Sequence, residues 1–136
     1  MNEPKDIESG QPKTAERLTD IAVSIGFVET SDLVEKRNAL KSAETIEIFK
    51  DKLNVYLKDA EDIVGQVDDE LYPKAQIGLI LTTASIYYSQ GLLSDSSEAV
   101  KDAWEYAYQI RDEALVSQVQ ELWFSDPKYT YKRRFP

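Results

Sequence analysis

The sequence contains neither cysteine nor histidine. Without cysteine there is no disulfide, no thiolate nucleophile and no Cys-based zinc site, and a reducing compartment is permitted; the expected location is the cytoplasm. Without histidine, the Ser-His-Asp and Cys-His arrangements, the HExxH metalloprotease, the Glu-x-x-His di-iron bundle and any metallated imidazole drop out. Catalysis, if there were any, would have to use carboxylates, Lys, Tyr, Ser or Thr. The five glycines are isolated and spell neither GxxxxGK[ST] nor GxGxxG, so there is no phosphate-cradling loop. No apolar run approaches the roughly 18 to 20 residues needed to span a membrane. The polar opening MNEPKDIESGQPK lacks the apolar core of a secretory leader. These absences lead to the expectation of a soluble, non-enzymatic protein with no cofactor, no metal and no membrane partner.

What is present is ordinary for a folded chain. With 136 residues, 42% hydrophobic and 30% charged, one domain can bury a core without staples. The net charge of −9 is unevenly spread: from Asp126 to Pro136, Lys128, Lys132, Arg133 and Arg134 stand against Asp126, which gives that tail +3 and leaves −12 on the preceding residues. Such a body repels nucleic acid at long range, while the tail attracts it.

Residues 1–13, with Pro4, Gly10 and Pro12 and no periodicity, are expected to be disordered. A helix is predicted from Thr14 as N-cap, with Leu18, Ile21, Ala22 and Ile25 on one face and Gly26 as a left-handed stop. Asp32 with Glu35 resembles a capping box for a short helix through Leu40, and Ser42 marks a further start. Ile46, Phe49, Leu53, Tyr56, Ala60, Ile63 and Val67 then alternate steps of three and four, the seam of a bundle helix ending near Gly65. After a link capped by Asp68 or Asp69, residues 75–90 are apolar on every side, which predicts a helix buried all round; Gly78, Ala84 and Ser85 are small enough for a neighbour to approach closely. Gly91 is its stop, Ser94 to Ser97 the loop, and Asp95 with Glu98 the next start. The last helix then runs on from Val100 through Trp104, Tyr108 and Leu115 to Trp123, roughly 27 residues and about 40 Å long, until Asp126-Pro127 ends it. The fold class expected is therefore all-α: a single-domain antiparallel helical bundle of about five helices, three long and two short. The bundle domain should cover 14–124 and the basic aromatic tail 125–136.

Part of this hairpin is similar to a known family. IYYSQG at 86–91 and EAVKDAWEYAYQI at 98–110 resemble the two helices of a tetratricopeptide repeat, and VDDELYPKAQ resembles the turn between repeats. The likeness covers about a third of the chain, departs in its longer LLSDSS loop, and has no second copy at a period of about 34. It implies a peptide groove. Glu44-x-x-Glu47 and Asp59-x-x-Asp62 superficially resemble the paired carboxylates of helical nucleotide pyrophosphohydrolases, which imply magnesium and phosphate. Both pairs fall on one predicted helix, about 22 Å apart by its rise, too far to share a metal.

Two features point to partners. Tyr106 departs from the face shared by Trp104 and Tyr108, so it is the expected exposed aromatic, and exposed Tyr and Trp favour interfaces. The tail interleaves Lys128, Lys132, Arg133 and Arg134 with Tyr129, Tyr131 and Phe135, a pattern suited to docking on an acidic surface or to single-stranded nucleic acid. The candidate partner-binding residues are Tyr106, Trp123, Phe124, Tyr129, Tyr131, Lys132, Arg133 and Arg134. A protein partner, a second copy of the chain included, is the expected ligand, with nucleic acid reached only through the tail.

Overall fold

A computed structural model describes residues 13–132 of the chain and the side chains of residues 14–129. The expectation of disorder over 1–13 otherwise lies outside the described residues; Lys13 already begins a helix. All regular structure among them is helical: α1 (Lys13–Ser24), α2 (Ser31–Leu40), α3 (Ile46–Val64), α4 (Tyr72–Ser89), α5 (Leu93–Gln109), α6 (Glu113–Ser125) and a closing 3-10 helix (Pro127–Lys132). The all-α class stands, with six α-helices among the described residues rather than about five.

Most of the starts differ from those expected, for local reasons. Thr14 does not cap α1; its side chain is buried and committed to Asp126 112 residues away. Thr30, not the Asp32–Glu35 pair, caps α2, its Oγ1 accepting from the Leu33 N–H at 3.2 Å. Residues 31–66 form two helices, and the second starts after Thr45, whose hydroxyl accepts from the Ile48 N–H, rather than at Ser42. Asp68 and Asp69 do not cap α4. The Leu71 and Tyr72 N–H groups are taken up by the Asp68 carbonyl, and Pro73 occupies the first turn where a missing N–H costs nothing. Ser94 to Ser97 is helix, not loop, because α5 opens at Leu93 directly after Gly91.

Three helix ends share one geometry. At Gly26 the Phe27 N–H bonds the Ala22 carbonyl at 2.9 Å and the Gly26 N–H bonds Val23; Gly91 and Leu92 repeat this on Tyr88 and Tyr87. These are Schellman endings with glycine in the left-handed region. The third ends α5: Asp112 N–H reaches the Ala107 carbonyl and Arg111 N–H that of Tyr108, with Arg111 at φ 61°. Asp112 then caps α6 through the Leu115 N–H at 3.1 Å. The single long final helix is thus two helices, broken at Ile110 to Asp112. A non-glycine residue occupies the position that reverses the chain.

The core centres on α4. α1 runs antiparallel along it, Ala15 beside Ser85 and Ala22 beside Gly78, and the Ser85 hydroxyl donates to the Ala15 carbonyl at 2.9 Å. At the other contact a Cβ on Gly78 would stand 2.5 Å from the Phe27 Cβ and 3.1 Å from the Ala22 carbonyl oxygen. The small-residue expectation is met there. On the opposite flank Ser96 donates from α5 to the Ala84 carbonyl at 2.8 Å.

α2 and α3 form a second packed pair, with Leu33, Leu40, Phe49, Leu53, Tyr56 and Ala60 buried. Glu29 locks it: Arg37 Nε donates to both carboxylate oxygens at 3.0 and 2.8 Å, and the Tyr56 hydroxyl donates to Oε2 at 2.5 Å. Burial first and Glu29 second push the Tyr56 hydroxyl far above its ordinary value, so it stays a donor. Lys36 bridges Asp32 of α2 and Asp59 of α3. Fewer contacts join this pair to α4; Gln90 Nε2 donates to the Leu40 carbonyl at 3.0 Å.

Two substitutions test this account. Gly78→Ala should destabilise the protein by about 1–3 kcal/mol, because the added methyl meets the backbone of α1. Arg111→Gly should stabilise it by about 1 kcal/mol by removing the cost of a left-handed L-residue. Urea midpoints read both, with m unchanged.

Candidate functional site

The expectation of a helix buried all round fails along one line of α4. Gln76, Ile80, Thr83 and Tyr87 stay half-exposed, at steps of four, three and four, while the rest of the helix between Ala75 and Tyr88 is buried. α1 and α5 cover two sides of α4, and α3 reaches only part of the third. What remains is a groove of about 300 Å³ with this strip as its floor. Leu57 of α3 and Ala99 of α5 extend the apolar floor on either side. From Gln76 to Tyr87 the strip is about 16 Å long, or three turns.

The rim is acidic. Glu61 borders it from α3, and Asp95, Glu98 and Asp102 border it from α5, where spacings of three and four put them on one face. Among the described residues no Lys or Arg nitrogen comes within 4.0 Å of any of these four carboxylates. Partial burial, then repulsion from Glu105 and Glu98, raises the Asp102 carboxyl above its ordinary value, with Lys101 opposing weakly. Burial and then Asp95 likewise raise the Tyr87 hydroxyl. Like charge, opposed by Lys101, therefore borders a floor in which Ile80 and Tyr87 alternate with Gln76 and Thr83.

The residues singled out from sequence lie elsewhere, and several are structural. Tyr106 is half-buried against the core, and Tyr108 is the exposed aromatic at 64%. The order is the reverse of that expected because the buried face is set by Val100, Ala103 and Ala107, which Tyr106 flanks more closely than Tyr108. Trp104 leans onto Tyr108, rings 5.6 Å apart, and its Nε1 donates to Gln120 of α6 at 3.1 Å. Trp123 and Tyr129 are buried core, not partner surface; Phe124 is exposed at 38%. The side chains of Tyr131, Lys132, Arg133 and Arg134 lie outside the described residues.

Burial of Tyr129 follows from Asp126. Thr14 Oγ1 and the Tyr88 hydroxyl donate to Asp126 Oδ2 at 2.5 and 2.6 Å, and the Lys128 N–H donates to Oδ1 at 2.8 Å. The 3-10 turn so fixed places the Tyr129 hydroxyl 2.8 Å from Ser96 Oγ and its ring edge-on to Tyr88. Lys128 lies over the Tyr88 ring at 5.4 Å. Residues 125–129 are thereby part of the packed body, and two of the tail's cation and aromatic side chains are spent on it.

A larger concavity, about 590 Å³, lies beside the α5–α6 joint between Tyr108, Arg111, Glu113, Val116 and Ser117. All but Val116 are exposed, so it is an open bay among surface side chains, and its two charges are of opposite sign. The groove on α4 differs in having a half-buried floor that includes Ile80 and Tyr87.

The carboxylate pairs do not converge. Glu44 precedes α3, Asp59 is held by Lys36, and Glu47 and Asp59 are about 18 Å apart along an unbroken helix. Among the described residues no three Asp or Glu side chains gather around a metal-sized space, and no helix is long and apolar enough to cross a membrane. No known family model, curated protein or solved structure matches the chain.

Sequence reasoning missed the groove although a signal was present: Gln76 and Thr83 are polar, seven apart, within the most apolar helix, and Asp95, Glu98 and Asp102 repeat on a face of the next.

The Asp126 network sets a pH dependence. Burial alone would raise its carboxyl, but hydrogen bonds from Thr14, Tyr88 and the Lys128 N–H outweigh this and hold it below its ordinary 3.8. A folded carboxyl that ionises more readily than the unfolded one contributes stability that is complete above 3.8 and fades as pH falls through the lower folded value. Asp126→Asn should cost roughly 1–3 kcal/mol at neutral pH. Urea titrations should show its deficit against wild type shrinking in acid.

Proposed function

We propose that the protein is a non-enzymatic helical module, a single-domain bundle that acts by binding another protein, and that the open groove along α4 is the binding surface. The observation that carries this is the half-exposed strip of Gln76, Ile80, Thr83 and Tyr87 on a helix otherwise buried. A soluble bundle gains stability by covering such a strip. A strip left open between two flanking helices is the kind of concave apolar surface that ligands occupy. The absence of cysteine and histidine from the whole sequence supports the non-enzymatic part of the reading.

The groove replaces the aromatics of the last helix and tail as the proposed contact. Of the aromatics there, Trp123 and Tyr129 are already packed, whereas Ile80, Tyr87 and Leu57 are half-covered and face an open space.

The test is affinity capture from native extract with wild type and with Thr83→Trp, which fills the groove from its middle. Wild type should retain a protein in near-stoichiometric amount that Thr83→Trp loses, while the unfolding free energies of both from urea titration agree within about 0.5 kcal/mol. Equal retention by both proteins, or none by either, would overturn the reading.

A further inference from the structure

We infer that the groove on α4 receives a cationic amphipathic helix from a partner protein, its apolar side chains on Ile80 and Tyr87 and its Lys or Arg residues against Glu61, Asp95, Glu98 and Asp102. This rests on the reading that the groove is the binding surface, and it adds the chemistry of the occupant.

Charge is the first argument. The four rim carboxylates belong to two different helices, so they bracket the floor rather than forming one solvated face. The cations of the ion pairs among the described residues, Lys36, Arg37 and Lys74, are engaged with Glu29, Asp32, Asp59 and Asp112 elsewhere. A cation arriving between Glu98 and Asp102 would meet two carboxylates four residues apart on one helix face. An anionic occupant, such as nucleic acid or an acidic membrane surface, would meet the same four charges unfavourably.

Backbone chemistry decides the shape. Along this face, beyond the first turn of α5, the walls are the sides of three helices whose N–H and C=O groups are already bonded within each helix. An extended peptide would find no edge to pair with and would bury unsatisfied amides. A helix brings its own hydrogen bonds satisfied. The strip's steps of four, three and four over three turns offer continuous ridges into which a second helix can pack, with anchors at i, i+3 or i+4, and i+7.

The test uses a synthetic peptide of about four turns, capped at both ends, with Leu at those anchor spacings and Lys at the flanking positions, and a second peptide with Glu in place of Lys. Binding to the full chain is followed by fluorescence anisotropy at physiological salt. The Lys peptide should bind wild type. The double variant Glu98→Lys/Asp102→Lys should weaken that binding by about tenfold or more. Glu16→Lys/Asp20→Lys, an equal charge change on the exposed side of α1, should leave it within about twofold. Circular dichroism establishes that both variants fold; all four positions are exposed.

Equal weakening by both variants would reduce the effect to net charge and overturn the inference. Binding of the Glu peptide, or binding of neither peptide while Thr83→Trp still abolishes capture from extract, would overturn the cationic chemistry and leave the groove standing as the binding surface. Failure of both the peptides and the capture would remove the binding surface as well. Concentration-dependent self-association that disappears in Glu98→Lys/Asp102→Lys would identify the basic tail of a second copy as occupant, and would overturn the separate partner.

Discussion

The closeness of α1 to α4 is the constraint from which the other packing follows. At position 78 there is no room for a single methyl group, because the Phe27 Cβ and the Ala22 carbonyl oxygen already occupy it. Contact at that range lets the carbonyls of a neighbouring helix be used as acceptors, as Ser85 does with Ala15. It also spends one flank of the central helix on a thin, tightly fitted layer. α5 takes the opposite flank through Ser96 and Ala84. The third flank falls to α3, but α3 is bound first to α2 through Glu29, Arg37, Lys36 and Tyr56. Held by that pair, it covers α4 incompletely, and the open strip is the remainder.

The C-terminal segment is governed by a different kind of interaction. Asp126 is buried, and its charge survives burial because three donors, two of them from distant parts of the chain, converge on it. A carboxylate treated in this way is a fastener, since removing any donor leaves a charge short of partners in a poorly solvating place. Around it, Tyr88, Trp123 and Tyr129 assemble as a ring cluster. Of the residues that look like a recognition tail in sequence, Tyr129 is drawn inward and Lys128 is laid over the Tyr88 ring by one acidic residue that the same sequence offers as a helix stop.

The helical class and most of the buried face of each helix were readable because period and composition act locally. Phe49, Leu53, Tyr56 and Ala60 sit where their spacing puts them. The left-handed stops at Gly26 and Gly91 follow from glycine alone. Caps were harder to read, because Ser, Thr and Asp are abundant at every boundary and tertiary partners decide which is free to cap: Thr14 is taken by Asp126, leaving Thr30 and Thr45 to cap their own helices. The break at Arg111 was invisible because the residue type disfavours the conformation that it adopts. The groove was legible only in its parts. Nothing in the chain order says that Leu57 and Glu61 of α3 stand opposite Asp95 and Asp102 of α5 across a strip of α4.

The bond between Thr14 and Asp126 also has a meaning during synthesis. Ribosomes lengthen a chain at a rate that separates those two residues by on the order of ten seconds. α1 is made first, but its principal neighbour is α4, so it must wait for the partner against which Ala22 and Phe27 pack. When α4 arrives, Tyr88 still has no acceptor until Asp126 follows. The nascent protein therefore passes through a stage with its central helix covered by α1 but exposed on the α5 and tail sides in turn. Its most apolar segment depends on Asp126 and Tyr129 to be sealed, which makes emergence of that segment, rather than of any one helix, the event that closes the core.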